Sequence, residues 1–99
     1  MREIFVYLQS KHHKFMKYFY TAHFLRAYNK LSVEVRDDVY AAVEDYKKSS
    51  NSSKLKLHKL QGKMKGLYAF SANFQYRIII EIQKSRTYFI DVGDHSVYE

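Results

Sequence analysis

The apolar positions in the first half of the chain predict a short strand followed by two helices. Residues 17–21 are rich in aromatic side chains, which favours a strand. From residue 22 the apolar positions recur with a helical spacing, at Phe24, Tyr28 and Leu31. Ser32 then suits the N-cap of a second helix. One face of that helix is apolar and consists of Val35, Val39, Ala42, Val43 and Tyr46.

The second half of the chain predicts three strands joined by short turns. Residues 67–73 and 76–82 alternate apolar and polar side chains, with Arg77 on the opposite face from the even-numbered isoleucines. A polar turn at residues 83–86 leads into a last strand at residues 87–92. Helices before strands indicate an α+β fold, with the N-terminal strand and the helical hairpin packed on a twisted antiparallel sheet.

The chain has room for one domain, because its 99 residues cannot enclose two hydrophobic cores. We interpret residues 1–15 as an N-terminal extension and residues 16–99 as a single compact domain. The longest apolar run, residues 78–80, is far too short to span a bilayer. The first residues also lack a signal-peptide pattern. We therefore expect a cytoplasmic protein with no membrane partner.

The charge of the chain favours a polyanionic partner, usually nucleic acid. The net charge is +7 and the isoelectric point is about 9.6. Residues 32–46 contain five acids and one base, whereas residues 54–65 contain five lysines and no acid. This segregation indicates a binding face, with a solvated turn as the alternative. We predict that four of these lysines bind RNA: Lys56, Lys59, Lys63 and Lys65.

The sequence offers no pattern of metal ligands, and we expect no cofactor. Cysteine is absent, His12 and His13 are adjacent, and His23 is isolated. His58 and His95 instead lie at the ends of predicted elements, where functional side chains concentrate.

Two histidines and Arg77 suffice for RNA cleavage without a metal. One histidine takes the proton of the attacking 2′-hydroxyl and the other protonates the leaving 5′-oxygen. A guanidinium holds the charge of the phosphorane, and Tyr98 can stack on a base. The spacing leaves open which histidine is the base. It also leaves the ordinary alternatives of exposed histidines, a packed Tyr98, and Arg77 paired with Glu81 or Asp91.

The segment from residue 58 to residue 98 resembles the RelE/StbE branch of the RelE/ParE toxin superfamily. The shared pattern is His-x-Leu-x-Gly, Gly-Leu-Tyr, Tyr-Arg-Ile-Ile and Gly-x-His followed by Val-Tyr. With the second helix included, the likeness covers about residues 16–98. It implies a RelE-like (microbial ribonuclease-like) fold and a toxin that cleaves mRNA on the ribosome. It also implies a cognate antitoxin that neutralises the toxin in a hetero-oligomer.

The resemblance also implies roles for four residues. Arg77 matches the arginine that contacts the scissile phosphate, and His95 falls at the position of the general acid. Tyr98 matches the C-terminal aromatic residue near the base. His58 matches a histidine that acts as base or phosphate ligand in one branch.

The chain departs from the family at the first strand after the helices. RelE has catalytic lysines there, whereas this chain has Ala69 and Ser71. Lys63 and Lys65 are the candidates to replace them.

Two other functions remain open at this point. A ParE-like toxin has a similar fold but inhibits DNA gyrase without catalysis. A plain RNA-binding module would use the lysines and the many tyrosines as stacking groups. The presence of His58, Arg77 and His95 in one chain favours the enzyme, since a pure binder has no need of them.

Overall fold

The structure is a computed structural model that describes residues 16–98. The proposed extension at residues 1–15 lies outside the described residues. The helices and strands, in chain order, are β1 Lys17–Tyr20, α1 Ala22–Asn29, α2 Val33–Lys48, β2 His58–Lys59, β3 Tyr68–Ser71, β4 Arg77–Gln83 and β5 Arg86–Gly93. Short 3₁₀ helices are formed by Ser53–Leu55, Gly62–Met64 and His95–Tyr98.

Both helices begin at the residues that the sequence predicts. The hydroxyl of Thr21 accepts a hydrogen bond from the Phe24 N–H at 3.1 Å. The hydroxyl of Ser32 accepts one from the Val35 N–H at 3.3 Å. Each cap satisfies a backbone donor that has no partner inside its helix.

The strands form one sheet in the order β1-β5-β4-β3-β2. The predicted antiparallel meander of β3, β4 and β5 is confirmed. The sheet as a whole is mixed, because β1 pairs parallel with β5. The helical hairpin connects β1 to the meander. The last strand of the meander, β5, lies beside β1 and runs in the same direction. The edge strand β2 was not predicted, since its two residues are too short to show an alternation.

The helices cover one face of this sheet, as predicted. The strands contribute Phe70, Ile78, Ile80, Phe89 and Val92 to the core. The helices contribute Phe24, Val39, Ala42, Val43 and Tyr46. The rings of Tyr46 and Phe70 stack at 4.8 Å between centroids. No helix within residues 16–98 has the length and apolar character needed to cross a bilayer.

The other face of the sheet, called here the open face, carries Arg77. Its neighbours there, Ala69 and Ile79, are fully buried although they lie away from the helices. The C-terminal 3₁₀ helix, His95–Tyr98, contacts β4 and β5. Tyr98 lines a depression together with Leu60 and Met64, which follow β2 in the chain. The C-terminal turn therefore runs from β5 across the open face.

Candidate functional site

Arg77 begins β4 on the open face, opposite Ser71 of β3 and Gly93 of β5. One of its terminal nitrogens donates to the carbonyl oxygens of Asn73 at 2.9 Å and Tyr76 at 3.1 Å. These contacts orient the half-buried guanidinium through one nitrogen. The remaining N–H groups can donate to an anion.

No carboxylate among residues 16–98 forms an ion pair with Arg77. Asp91 pairs with His23 at 3.1 Å, and Glu81 accepts a hydrogen bond from Gln83 at 2.8 Å. The ordinary alternative, in which Arg77 pairs with one of these two acids, is therefore wrong. The open face keeps an arginine whose charge is available to a phosphate.

His95 and Tyr98 are carried by the C-terminal turn. The turn begins two residues after Gly93, the β5 partner of Arg77, so it brings His95 to the same end of the sheet as Arg77. The rings of His95 and Tyr98 lie 6.1 Å apart between centroids, at 72° to each other. The turn thus presents an imidazole and an aromatic ring side by side.

Asp94, which the sequence did not single out, closes this turn. Its carboxylate accepts from the Ser96 N–H at 3.0 Å, and its carbonyl oxygen accepts from the Val97 N–H at 3.0 Å. Hydrogen bonds from Ser96, together with the charge of His95, lower the pKa of Asp94. At pH values above the ordinary pKa of aspartate, the carboxylate therefore stabilises the folded turn. This stabilisation is lost as the pH falls through the lowered pKa of Asp94.

Gly93 allows the turn to pack against β5. A Cβ atom at Gly93 would lie 2.5 Å from Cγ1 of Val97 and 3.8 Å from its Cβ. We expect Gly93→Ala to displace the turn, because a β-branched valine has little freedom to move aside. The expected result is a shift of the His95 ring signals in the NMR spectrum.

Removing the clashing methyl group provides the control for this prediction. Val97→Ala deletes Cγ1, so the double variant Gly93→Ala with Val97→Ala should recover the His95 signals of the Val97→Ala single variant. A double variant that stays as perturbed as Gly93→Ala would show that Gly93 is needed for another reason.

His58 lies apart from Arg77, on the exposed edge strand. It pairs with Ala69 of β3, which in turn pairs with Ile79 of β4. At about 4.8 Å between strands, the backbone of His58 is roughly 10 Å from that of Ile79. Its Nδ1 lies 2.8 Å from the carbonyl oxygen of Lys56. Because a carbonyl only accepts, the neutral ring donates from Nδ1 and keeps Nε2 free to take a proton.

The four predicted RNA-binding lysines are all exposed and line three different depressions. Lys56 borders a groove of about 660 Å³ that also contains Arg77. Lys59 and Lys65 line a depression of about 440 Å³. Lys63 shares one of about 220 Å³ with Tyr98. In the described part of the chain none of the four pairs with an acid.

The structure thus brings Arg77, His95 and Tyr98 to the open face and its C-terminal turn, and places His58 at the sheet edge. No hydrogen bond or ring contact joins His58 to the other three within residues 16–98. In that same range no group of His, Asp and Glu side chains is arranged to hold a metal ion. The arrangement leaves the Arg77 guanidinium able to bind a phosphate, with one histidine on the adjacent C-terminal turn and another on the edge strand.

Comparison with known proteins defines the class by its fold. No protein-family model and no curated protein sequence matches the chain. Solved structures do match: the YoeB/ParE toxin from Agrobacterium tumefaciens has a TM-score of 0.67 and 18% identity, over 81% of this chain and 99% of that one. The chain therefore has the fold of RelE/ParE-type toxins, as the resemblance implied.

Two further structures share this fold. YafQ from E. coli strain BL21(DE3) matches with a TM-score of 0.62 and 13% identity, over 83% of this chain and 96% of that chain. A chain of the toxin-antitoxin complex RelBE2 from Mycobacterium tuberculosis matches with a TM-score of 0.57 and 18% identity, over 81% and 98%. At these identities the likeness concerns the fold.

Proposed function

We propose that this protein is the toxin of a type II toxin-antitoxin system and a ribosome-dependent endoribonuclease that cleaves mRNA. One observation carries the proposal: Arg77 is held by two backbone carbonyls, has no acidic partner among residues 16–98, and lies beside the turn that bears His95. A toxin that only binds its target would not need a half-buried arginine left uncompensated beside a histidine. The fold supports the toxin part of this proposal.

The proposed reaction breaks the RNA chain by attack of a 2′-hydroxyl on the adjacent phosphorus. His58 accepts the hydroxyl proton at its free Nε2, and the new bond from the 2′-oxygen forms as the bond to the 5′-oxygen breaks. His95 gives a proton to the departing 5′-oxygen. Arg77 donates hydrogen bonds to the non-bridging oxygens, whose negative charge grows in the transition state. The products are a 2′,3′-cyclic phosphate and a 5′-hydroxyl end.

Tyr98 and the lysines position the RNA in this proposal. Tyr98, at the far end of the C-terminal turn, lines the same depression as Lys63. Its ring can stack on a base there while the ammonium group contacts the backbone. Because Lys56, Lys59 and Lys65 have no acidic partner in the described range, they add electrostatic attraction that weakens with salt.

The proposal is tested by expressing the chain without an antitoxin and mapping mRNA 5′ ends. We expect growth arrest, together with new 5′-hydroxyl ends inside translated regions that disappear when translation is blocked. Arrest with intact mRNA would instead favour gyrase inhibition of the ParE kind. Salt-dependent RNA binding without cleavage on ribosomes would favour a plain RNA-binding module.

We also propose a cognate antitoxin as the protein partner. RelBE2, which shares the fold, is a toxin-antitoxin complex. Four lysines without an acidic partner among residues 16–98 form a basic surface that an acidic antitoxin segment would complement: Lys56, Lys59, Lys63 and Lys65. Such a segment would inhibit by covering the surface that RNA needs. An mRNA target also places the protein in the cytoplasm.

A further inference from the structure

The turn between β3 and β4 holds an aromatic ring almost entirely in solvent. Phe74 is 91% exposed, the most exposed large apolar side chain of residues 16–98. Burying a phenylalanine side chain is favourable by about 1.5–3 kcal/mol, and Phe74 gains almost none of this within the described fold. Single exposed apolar residues are common, so the inference depends on the surroundings of Phe74.

The turn is fixed by its neighbour Asn73. The side-chain oxygen of Asn73 accepts from the N–H groups of Gln75 at 2.9 Å and Tyr76 at 2.8 Å. The side-chain nitrogen of Asn73 donates to Asp38 of α2 at 2.9 Å. The main-chain carbonyl oxygen of Asn73 accepts from Arg77 at 2.9 Å. One residue therefore ties the turn both to the helix and to the guanidinium. The backbone at Phe74 is held in a defined position relative to Arg77, which reduces the entropy lost on binding.

A groove of about 660 Å³ runs beside the turn and connects Phe74 with Arg77 and Lys56. It also contains two acids: Asp45 pairs with Lys54 at 2.9 Å, whereas Asp38 accepts the hydrogen bond from the neutral amide of Asn73 and keeps its charge. Arg77 and Lys56 have no acidic partner among residues 16–98. The groove therefore carries more cations than acids, and it joins Arg77 and Lys56, which form no ion pair in that range, to an exposed aromatic ring.

We propose that Phe74 is a base-stacking residue for single-stranded RNA. A strand with one phosphate at Arg77 would place a neighbouring base on the Phe74 ring, and its backbone would follow the groove towards Lys56. Stacking platforms beside basic grooves are a general way to bind single strands without reading their sequence. The position of the scissile phosphate at Arg77 rests on the proposed function.

The absence of tryptophan from the sequence allows a direct test. Phe74→Trp introduces a single tryptophan, which can be excited selectively over the ten tyrosines and keeps the ability to stack. The probe is a short single-stranded RNA that 2′-O-methyl groups protect from cleavage, titrated at low salt. We expect its binding to quench the emission of Trp at this position. Tyr40→Trp is the matched control, because Tyr40 is a 63% exposed aromatic residue on α2. The emission of this variant should not change when the RNA is added.

A second variant measures the strength of the contact. Phe74→Leu should weaken binding of the same RNA by roughly 5- to 100-fold, the effect of losing one stacked base. Phe74→Tyr should bind like the wild type. The melting temperature should be unchanged in both variants, since the ring makes almost no contact in the fold.

The outcomes separate this inference from the proposed function. No quenching at the highest RNA concentration, or equal RNA affinity of Phe74→Leu and the wild type, would overturn the stacking role. Quenching by a partner protein but not by RNA would overturn it as well. If the wild type cleaves mRNA while Phe74→Leu binds and cleaves equally well, only the stacking inference fails. If the wild type leaves mRNA intact on ribosomes, the proposed function fails.

Discussion

Arg77→Ala is expected to lower the rate of mRNA cleavage on ribosomes by about 10²–10³-fold, the usual effect of removing one donor that stabilises a developing oxyanion. The guanidinium is oriented by the Asn73 and Tyr76 carbonyls and has no competing carboxylate in the described part of the chain. Its charge is therefore available to the phosphorane. Single-turnover cleavage of mRNA on programmed ribosomes measures the effect directly.

Two variants control this experiment. Arg77→Lys keeps the charge but loses the planar fork, so its activity should lie between those of the wild type and Arg77→Ala. Arg86→Ala removes an exposed arginine at the opposite end of the sheet, where Arg86 pairs with Lys17 and Gln83, and should cleave normally. Cleavage by a folded Arg77→Ala variant within a few-fold of the wild type would exclude the proposed phosphate role.

Local sequence patterns predicted most of the fold because the forces that set it are local or periodic. Ser32 lies one residue before α2 because a hydroxyl can satisfy the first free N–H groups of a helix. The alternation along β4 placed Ile78 in the core and Arg77 on the open face, since successive strand residues point to opposite sides. The resemblance to the toxin superfamily implied the same architecture.

The sequence could not predict pairings between distant segments. The parallel contact of β1 with β5 joins residues almost 70 positions apart, as in the 2.7 Å hydrogen bond from the Lys17 N–H to the Ser85 carbonyl. Neither segment contains a sequence pattern that identifies the strand with which it pairs. The edge strand β2 forms only because β3 offers a free edge to His58 and Lys59. Its two residues carry no periodic signal of their own.

The sequence indicated candidate residues by their type, and their positions only in part. The strand pattern indicated the face of Arg77, and the structure places the turn bearing His95 at the same end of the sheet. The contribution of Asn73 was missed, because its residue type indicates a turn but not a bond to Arg77. The crossing of the open face by the C-terminal turn depends on Gly93, whose small size matters only once Val97 lies beside it.

The second large effect is expected at His95. If His95 protonates the departing 5′-oxygen, His95→Ala should slow cleavage by about 10²–10⁴-fold, the usual contribution of a general acid. An RNA with sulfur in place of the bridging 5′-oxygen separates this role from a structural one, because a thiolate leaves without being protonated. His95→Ala should cleave the sulfur-containing RNA at nearly the wild-type rate. Parallel single-turnover assays on the two RNAs measure the difference.

His58 and His23 supply the comparison. His58→Ala should stay slow on both RNAs, because a better leaving group does not replace the base that takes the 2′-hydroxyl proton. His23→Ala should be normal on both, since His23 pairs with Asp91 beside α1. If the sulfur-containing RNA rescues His58→Ala but not His95→Ala, the acid and base assignments must be exchanged. If the sulfur-containing RNA restores cleavage by neither variant, neither His95 nor His58 protonates the leaving oxygen.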